Sequence, residues 1–262
     1  HGLAAARAEI VVRMDADDLM HPERLARQLR HFDADPTLML SASRVRAFPE
    51  ELVQAGLREY LRWQNACLSA ADVAADIYVE APFAHPSVAF RRAVVRAAGG
   101  YREGPFPEDY ELWLRLHQGG HRMAKLPDVL LDWREHPHRT SRVDPRYARE
   151  AFDCVRADYL ARDARLLARR DEFVIWGAGR RTRKRCAVLL AHGFRPQAWV
   201  DIDPRKIGRM LDGVPVHAPS FLATEPRPFV LVYVTNHGAR DEIAVHLDRL
   251  GYARGRDWLA VG

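Results

Sequence analysis

The feature that most limits what this chain can fold into is the run Ile10-Val11-Val12-Arg13-Met14, which stops abruptly at Asp15, Asp17 and Asp18. A short, largely β-branched segment closed by turn-forming acids reads as a buried parallel strand. Pro22 and Glu23 then open a helix whose apolar spacing predicts Leu25, Leu29 and Phe32 as its buried face. The acids therefore lie on a strand-to-helix loop, the edge of an open α/β sheet where ligands bind. Three clustered anions repel one another, and a hard divalent cation offsets that repulsion while leaving positions for phosphate oxygens. The same acids also suit a plainer task, capping helix amides and favouring the helix dipole.

Downstream, residues 38–43 read as a returning strand, and 49–68 as a helical region carrying Leu52, Leu57, Tyr60, Leu61 and Cys67. Two prolines stiffen the loop Ala81-Pro82-Phe83-Ala84-His85-Pro86, which feeds a short strand over 87–90. A helix over 91–98 closes at Gly99-Gly100. The next helix starts at Pro107-Glu108-Asp109 and stops at Gly119-Gly120, with Leu112, Trp113 and Leu116 as its apolar face, so that Glu108 and Asp109 point out of its first turn. Helix-start acidity alone accounts for those two acids equally well. Short apolar runs at 123–126 and 129–133 are separated by Pro127-Asp128, and a polar loop carrying His136 and His138 follows.

Residues 146–170 read as an Arg-rich connecting helix, which divides the chain into a unit over 1–145 and a second over 171–262. The second alternates strand and helix, the pattern of a parallel α/β sheet. Gly177-Ala178-Gly179 falls between a strand and a helix, and Asp201 ends the next strand, where a ribose contact is expected. Thr182 stands where a third small residue would complete the fingerprint. A hydride-transfer enzyme is a weak reading, because no Tyr and Lys pair at catalytic spacing accompanies those glycines.

Composition narrows the partners. With 262 residues, 48% hydrophobic and 29% charged, the chain is long enough for two cores. A formal charge of +5 is scattered, and no aromatic residues interleave with a basic run, which argues against nucleic acid and for anionic small molecules or a membrane surface. Cys67, Cys154 and Cys186 are odd in number and widely spaced, so neither a disulfide framework nor a zinc knuckle is indicated, and a reducing compartment is expected. No apolar run approaches the ~20 residues of a membrane span, and no signal peptide is evident.

Several stretches fall in a telling order: Gly2-Leu3-Ala4-Ala5-Ala6-Arg7, Asp15-Ala16-Asp17, His85-Pro86-Ser87, Gly99-Gly100-Tyr101, Glu108-Asp109-Tyr110-Glu111-Leu112-Trp113 and His136. Together they resemble the family-2 glycosyltransferases of the GT-A fold. The resemblance implies inverting transfer of a sugar from a nucleotide-diphosphate sugar to a saccharide or lipid-linked acceptor, with Mg2+ or Mn2+. It implies Arg7, Asp15 and Asp17 on the donor, Asp17 and His136 on the metal, Asp109 as base, and Glu108 and His85 on the acceptor side. His85 ahead of Pro86 is equally suited to shaping its loop, and His136 to being an ordinary loop histidine. One tension accompanies Asp109: a carboxylate in a first helical turn is stabilised as the anion and weakened as a base, unless Glu108 or burial pushes the other way.

The expected fold is thus α/β throughout, an incomplete GT-A domain followed by a small Rossmann-like module. The front of such enzymes, two strands that hold the nucleotide base, is expected to lie upstream of His1. A second expectation is a non-catalytic remnant whose Rossmann-like module, with Gly177, Gly179 and Asp201 at its nucleotide, regulates or docks a partner. The resemblance places the protein in the cytoplasm, with peripheral contact at the inner face of the membrane.

Overall fold

The computed structural model describes residues 2–235 and 238–262. Its contacts divide the chain into two units, His1–Ile77 with Ala81–Ala151, and Tyr78–Glu80 with Phe152–Gly262.

The first unit opens with α1 (Gly2–Ala5), β1 (Ile10–Val12), β2 (Leu19–Met20), α2 (Arg24–Ala34) and β3 (Leu38–Phe48). It continues through α3 (Ala55–Ala66), α4 (Ala70–Asp76), β4 (Ala89–Arg91), α5 (Arg92–Ala97), α6 (Glu108–Gln118), β5 (Arg122–Arg134) and α7 (Thr140–Val143). The five strands lie in the order β1-β4-β3-β5-β2. β3 and β5 run parallel, whereas β4 is antiparallel to both of its neighbours and β2 is antiparallel to β5.

The opening strand differs from its expectation. β1 is a half-buried edge strand, antiparallel to β4. Ile10 and Val12 pack against the cluster of Phe32, Leu38, Ala89 and Ala124, and one covered face is enough to favour β-branched residues.

The helix after the acids also turns a different face inward. Leu25 and Leu29 are 44% and 47% exposed, while Arg24 and Gln28 are wholly buried beside Phe32. Arg24 donates to the Arg13 carbonyl at 2.8 Å and through Nε to Gln28 Oε1 at 3.1 Å, and Gln28 donates to the Ser41 and Ser87 carbonyls at 3.0 and 2.9 Å. β1 and β4 are three residues each, so carbonyls around their ends lack ladder partners and need side-chain donors. Apolar periodicity registers the leucines and is blind to that demand.

β5 joins the two apolar runs around Pro127 into one strand. Its register against β3 jumps from Ser43–Leu126 to Arg44–Val129, so Pro127 and Asp128 bulge out and the proline needs no ladder partner. α4 is set by a capping box, with Ser69 and Asp72 each bonding the other's backbone. α6 is buried nearly all round, from Asp109 through Leu114 and again at Leu116. Its charges survive there by pairing, as Glu111 does with Arg115 at 2.8 Å.

In the second unit α8 (Arg149–Leu160) and α9 (Ala164–Leu167) lead into β6 (Phe173–Trp176), α10 (Arg180–Leu190) and β7 (Ala198–Val200). β8 (Met210–Leu211), β9 (Val214–His217), β10 (Phe229–Val232), α11 (Ala239–Arg249) and β11 (Trp258–Ala260) complete it. The sheet runs β11-β10-β6-β7-β9-β8, and every pairing but β8 with β9 is parallel. Numbered along the chain, its parallel strands lie in the doubly wound order 3-2-1-4-5, and the order reverses between β6 and β10. No helix among the described residues is long and apolar enough to cross a membrane.

Candidate active site

The acids after β1 do not act as one cluster. Alternation along the extended chain puts Arg13 and Asp15 on the same side, and their side chains pair at 2.6 Å. Asp17 lies 3.3 Å from His136 Nε2 instead. The short antiparallel match of Leu19 and Met20 with Asp132 and Leu131 creates that neighbourhood, because it lays the acidic loop along the end of β5. Arg134 fastens the two together, donating from Nε to the Asp17 carbonyl at 2.7 Å and from its backbone to Asp18 Oδ1 at 2.8 Å.

Asp18 turns inward and is 5% exposed. Burial raises its carboxyl to about 6, the Asp15 and Asp17 charges add to the rise, and the Arg134 amide bond opposes it. Its Oδ2 and Nη1 of Arg24 are both buried without a hydrogen-bond partner among the described residues.

His136 sits on a braced loop. Glu135 is buried and accepts from Arg139 at 2.8 Å and Arg142 at 2.7 Å, while Arg139 also lies over the Trp133 ring at 3.9 Å. Burial works against the Glu135 carboxylate, but the bonds from Arg142 and Arg139 hold its pKa below the ordinary value.

The second cluster gathers at the start of α6. Asp109 is 8% exposed, with Oδ1 accepting from the Tyr110 amide at 2.7 Å. Burial brings its carboxyl up to about 7, the Glu108 charge adds to this, and the Tyr110 amide and the Arg13 charge pull the other way. Burial therefore outweighs the first-turn position that weakens a base. Glu108 accepts from the Tyr147 hydroxyl at 3.0 Å, and Arg146 lies 3.8 Å away. The sequence assigns Tyr147 to the connector, yet it packs in the first unit on an expected site residue.

His85 is packed against aromatic side chains. Its Nε2 is 2.9 Å from the Tyr101 hydroxyl and its ring stands edge-on to Trp113, with centroids 6.0 Å apart. Burial, reinforced by the Arg13 charge, lowers its pKa to about 3, so the imidazole is neutral across the working pH range. Arg7 lies exposed ahead of β1.

Arg13 is the charged residue of this neighbourhood that the sequence reading passes over. It pairs with Asp15, and its charge is felt at Asp109, His85 and Tyr101, so Asp15 and the buried carboxyl share one electrostatic environment. The available signal was period-two alternation, which sets Arg13 beside Asp15.

The residues suit a divalent cation only in part by themselves. Among the described residues no three His, Cys, Asp or Glu side chains converge. Asp17 with His136 offers one oxygen and one nitrogen, which fits a hard cation that takes its remaining ligands from water and substrate phosphates.

In the second unit the glycine turn lies where expected. Gly177 has φ +112°, and a Cβ there would sit 2.9 Å from Thr182 Oγ1 and 3.1 Å from Val234, so a side chain is excluded. Asp201 turns its carboxylate toward the chain, accepting from the Ala178 amide at 2.8 Å, Lys206 Nζ at 2.9 Å and the Asp203 amide at 2.9 Å. Burial opposes its ionisation, but those bonds hold the carboxyl below its usual range.

Comparison with known proteins supplies the family. A family profile described as "Glycosyltransferase like family 2" matches residues 1–156. The amylovoran biosynthesis glycosyltransferase AmsE of Erwinia amylovora is 36% identical over 130 residues, 50% of this chain and 46% of that protein. An Escherichia coli protein named UDP-Gal:alpha-D-GlcNAc-diphosphoundecaprenol beta-1,3-galactosyltransferase is 27% identical over 133 residues, 51% of this chain and 46% of its own. The chain spans about half the length of the curated relatives it matches. Among solved structures, S. aureus TarS 1-349 in complex with UDP-GlcNAc aligns over 61% of this chain and 50% of its own, at 13% identity and a TM-score of 0.42.

Proposed function

This chain belongs to the glycosyltransferase-like family 2, and we propose that its first unit moves a sugar, with inversion, from a nucleotide-diphosphate sugar to an acceptor hydroxyl. One observation carries the reading: Arg13 links the two acid clusters, pairing with Asp15 while its charge reaches the buried Asp109.

Asp109 is the base. As the acceptor oxygen attacks the anomeric carbon and the bond to the diphosphate breaks, the hydroxyl proton passes to the Asp109 carboxylate. A carboxyl at about 7 is a stronger base than an ordinary carboxylate and is still substantially ionised near neutrality. Asp17 and His136 would hold Mg2+ or Mn2+. Such a cation, when bound, neutralises charge growing on the departing diphosphate. Asp15 meets the ribose and sugar side of the donor, and Arg7 approaches its base. Glu108 and His85 line the acceptor side, the first oriented by Tyr147 and the second fixed neutral beside Tyr101.

The acceptor is a saccharide or a lipid-linked saccharide, and the printed name of the Escherichia coli relative, with its diphosphoundecaprenol, supports the lipid-linked choice. A cytoplasmic protein touching the inner face of the membrane follows from such an acceptor. The second unit is Rossmann-like in this reading, with Gly177 and Gly179 facing a nucleotide.

The test is donor turnover by the protein with and without EDTA. Asp109→Asn lowers kcat by roughly 10²–10⁴-fold with donor binding retained, and Asp17→Asn weakens metal-dependent donor binding. Undiminished turnover in Asp109→Asn would overturn the base. Donor that never binds in a metal-dependent way would favour the non-catalytic reading.

A further inference from the structure

The second unit holds a cavity of about 630 Å3, ample for a small ligand, opening where its sheet order reverses between β6 and β10. Trp176 and Tyr233 line it and are each 4% exposed. Neither the indole N–H nor the phenol hydroxyl meets a hydrogen-bond partner among the described residues. His246, whose ring is edge-on to Trp176 at 5.5 Å, likewise has Nε2 buried and unpartnered among them. A buried polar atom without a partner, beside a cavity that two further unpartnered polar side chains line, calls for a ligand to meet them.

The start of α10, which also lines the cavity, suits an anion. The 11-residue α10 starts at Gly179 with no side chain capping it, so its first-turn amides face outward. Arg180 and Arg181 in that turn are exposed, line the cavity and make no ion pair among the described residues. Gly179 has φ −72°, and a Cβ there would meet nothing within 4 Å, so its hydrogen atom marks open space beside those amides.

Aromatic groups and unpaired guanidiniums around one cavity suit a ring-bearing phosphate, and two arginines at a helix start match a diphosphate better than a monoester. In a dinucleotide site the carboxylate ending the second strand reads the ribose hydroxyls. Asp201 is spent instead on the Ala178 and Asp203 amides and on Lys206. We infer that this cavity binds a nucleoside diphosphate and not a dinucleotide. The inference does not depend on the transfer chemistry proposed for the first unit.

Calorimetric titration of the whole chain with UDP, GDP and NAD+ in EDTA tests it, because EDTA silences the metal-dependent donor site. UDP or GDP binds under those conditions. Gly179→Val, which adds bulk at an unstrained position in open space, weakens that binding roughly tenfold or more, and Arg181→Gln weakens it and flattens its salt dependence. Asp17→Asn leaves it unchanged. No heat with either diphosphate, binding indifferent to both second-unit variants, or tighter binding of NAD+ than of either would overturn the assignment. Failure of the donor reading shows separately, as loss of metal-dependent binding while this site persists.

Discussion

Asp109→Asn stabilises the protein at alkaline pH while removing the proposed base. The carboxyl moves from 3.8 to about 7 on folding, chiefly through burial. A folded-state pKa raised above the unfolded one means that the folded chain binds the extra proton between those values. Stability is therefore full below about pH 4, falls as pH rises toward 7, and is flat beyond. Each tenfold in proton affinity is worth about 1.4 kcal/mol, so the buried carboxylate costs on the order of 4 kcal/mol at pH 8.5 and about 1.6 at pH 5. Asparagine is neutral at every pH, has nearly the same shape, and keeps an oxygen for the Tyr110 amide. Its advantage over the parent should grow by nearly 3 kcal/mol between pH 5 and pH 8.5, read as the difference in urea unfolding free energies. An advantage that is absent, or that does not change with pH, would refute the claim that burial has raised this carboxyl.

Three further outcomes follow from other parts of the fold. Leu25→Glu and Leu29→Glu should each change unfolding free energy by no more than about 0.5 kcal/mol, whereas Arg24→Met, which strips the Arg13 carbonyl of its donor, should cost roughly 2–4 kcal/mol. Gly177→Ala should destabilise the second unit by about 1–3 kcal/mol through its positive φ and the contact with Thr182, seen as a lowered midpoint in thermal unfolding. Glu135→Gln should loosen the His136 loop by removing charge from its bonds to Arg139 and Arg142, weakening Mn2+ affinity in the presence of donor roughly tenfold by titration.

What the sequence made legible is what local chemistry determines. The glycine turn of the second unit, its flanking β6 and α10, and the start of α6 are written in Gly177, Gly179 and Pro107-Glu108-Asp109, whose backbone preferences act over a few residues. What stayed hidden is set by partners distant in the chain. Leu25 and Leu29 fit a buried face, but carbonyls at Arg13, Ser41 and Ser87 claimed that face for Arg24 and Gln28. Asp18 reads as one of three metal-loop acids until β2 pairs with β5 and gives it the Arg134 amide. The raised carboxyl of Asp109 depends on burial, which no first-turn position reveals.

Whether Asp109 receives the acceptor's proton is tested most directly by the pH dependence of kcat/KM for sugar transfer. A rate that climbs tenfold per pH step below about 7, levels above it, and loses that limb in an Asp109→Asn protein working at least a hundredfold slower is the predicted result. A limb near pH 4, or an Asp109→Asn profile superimposable on the parent's, would contradict it.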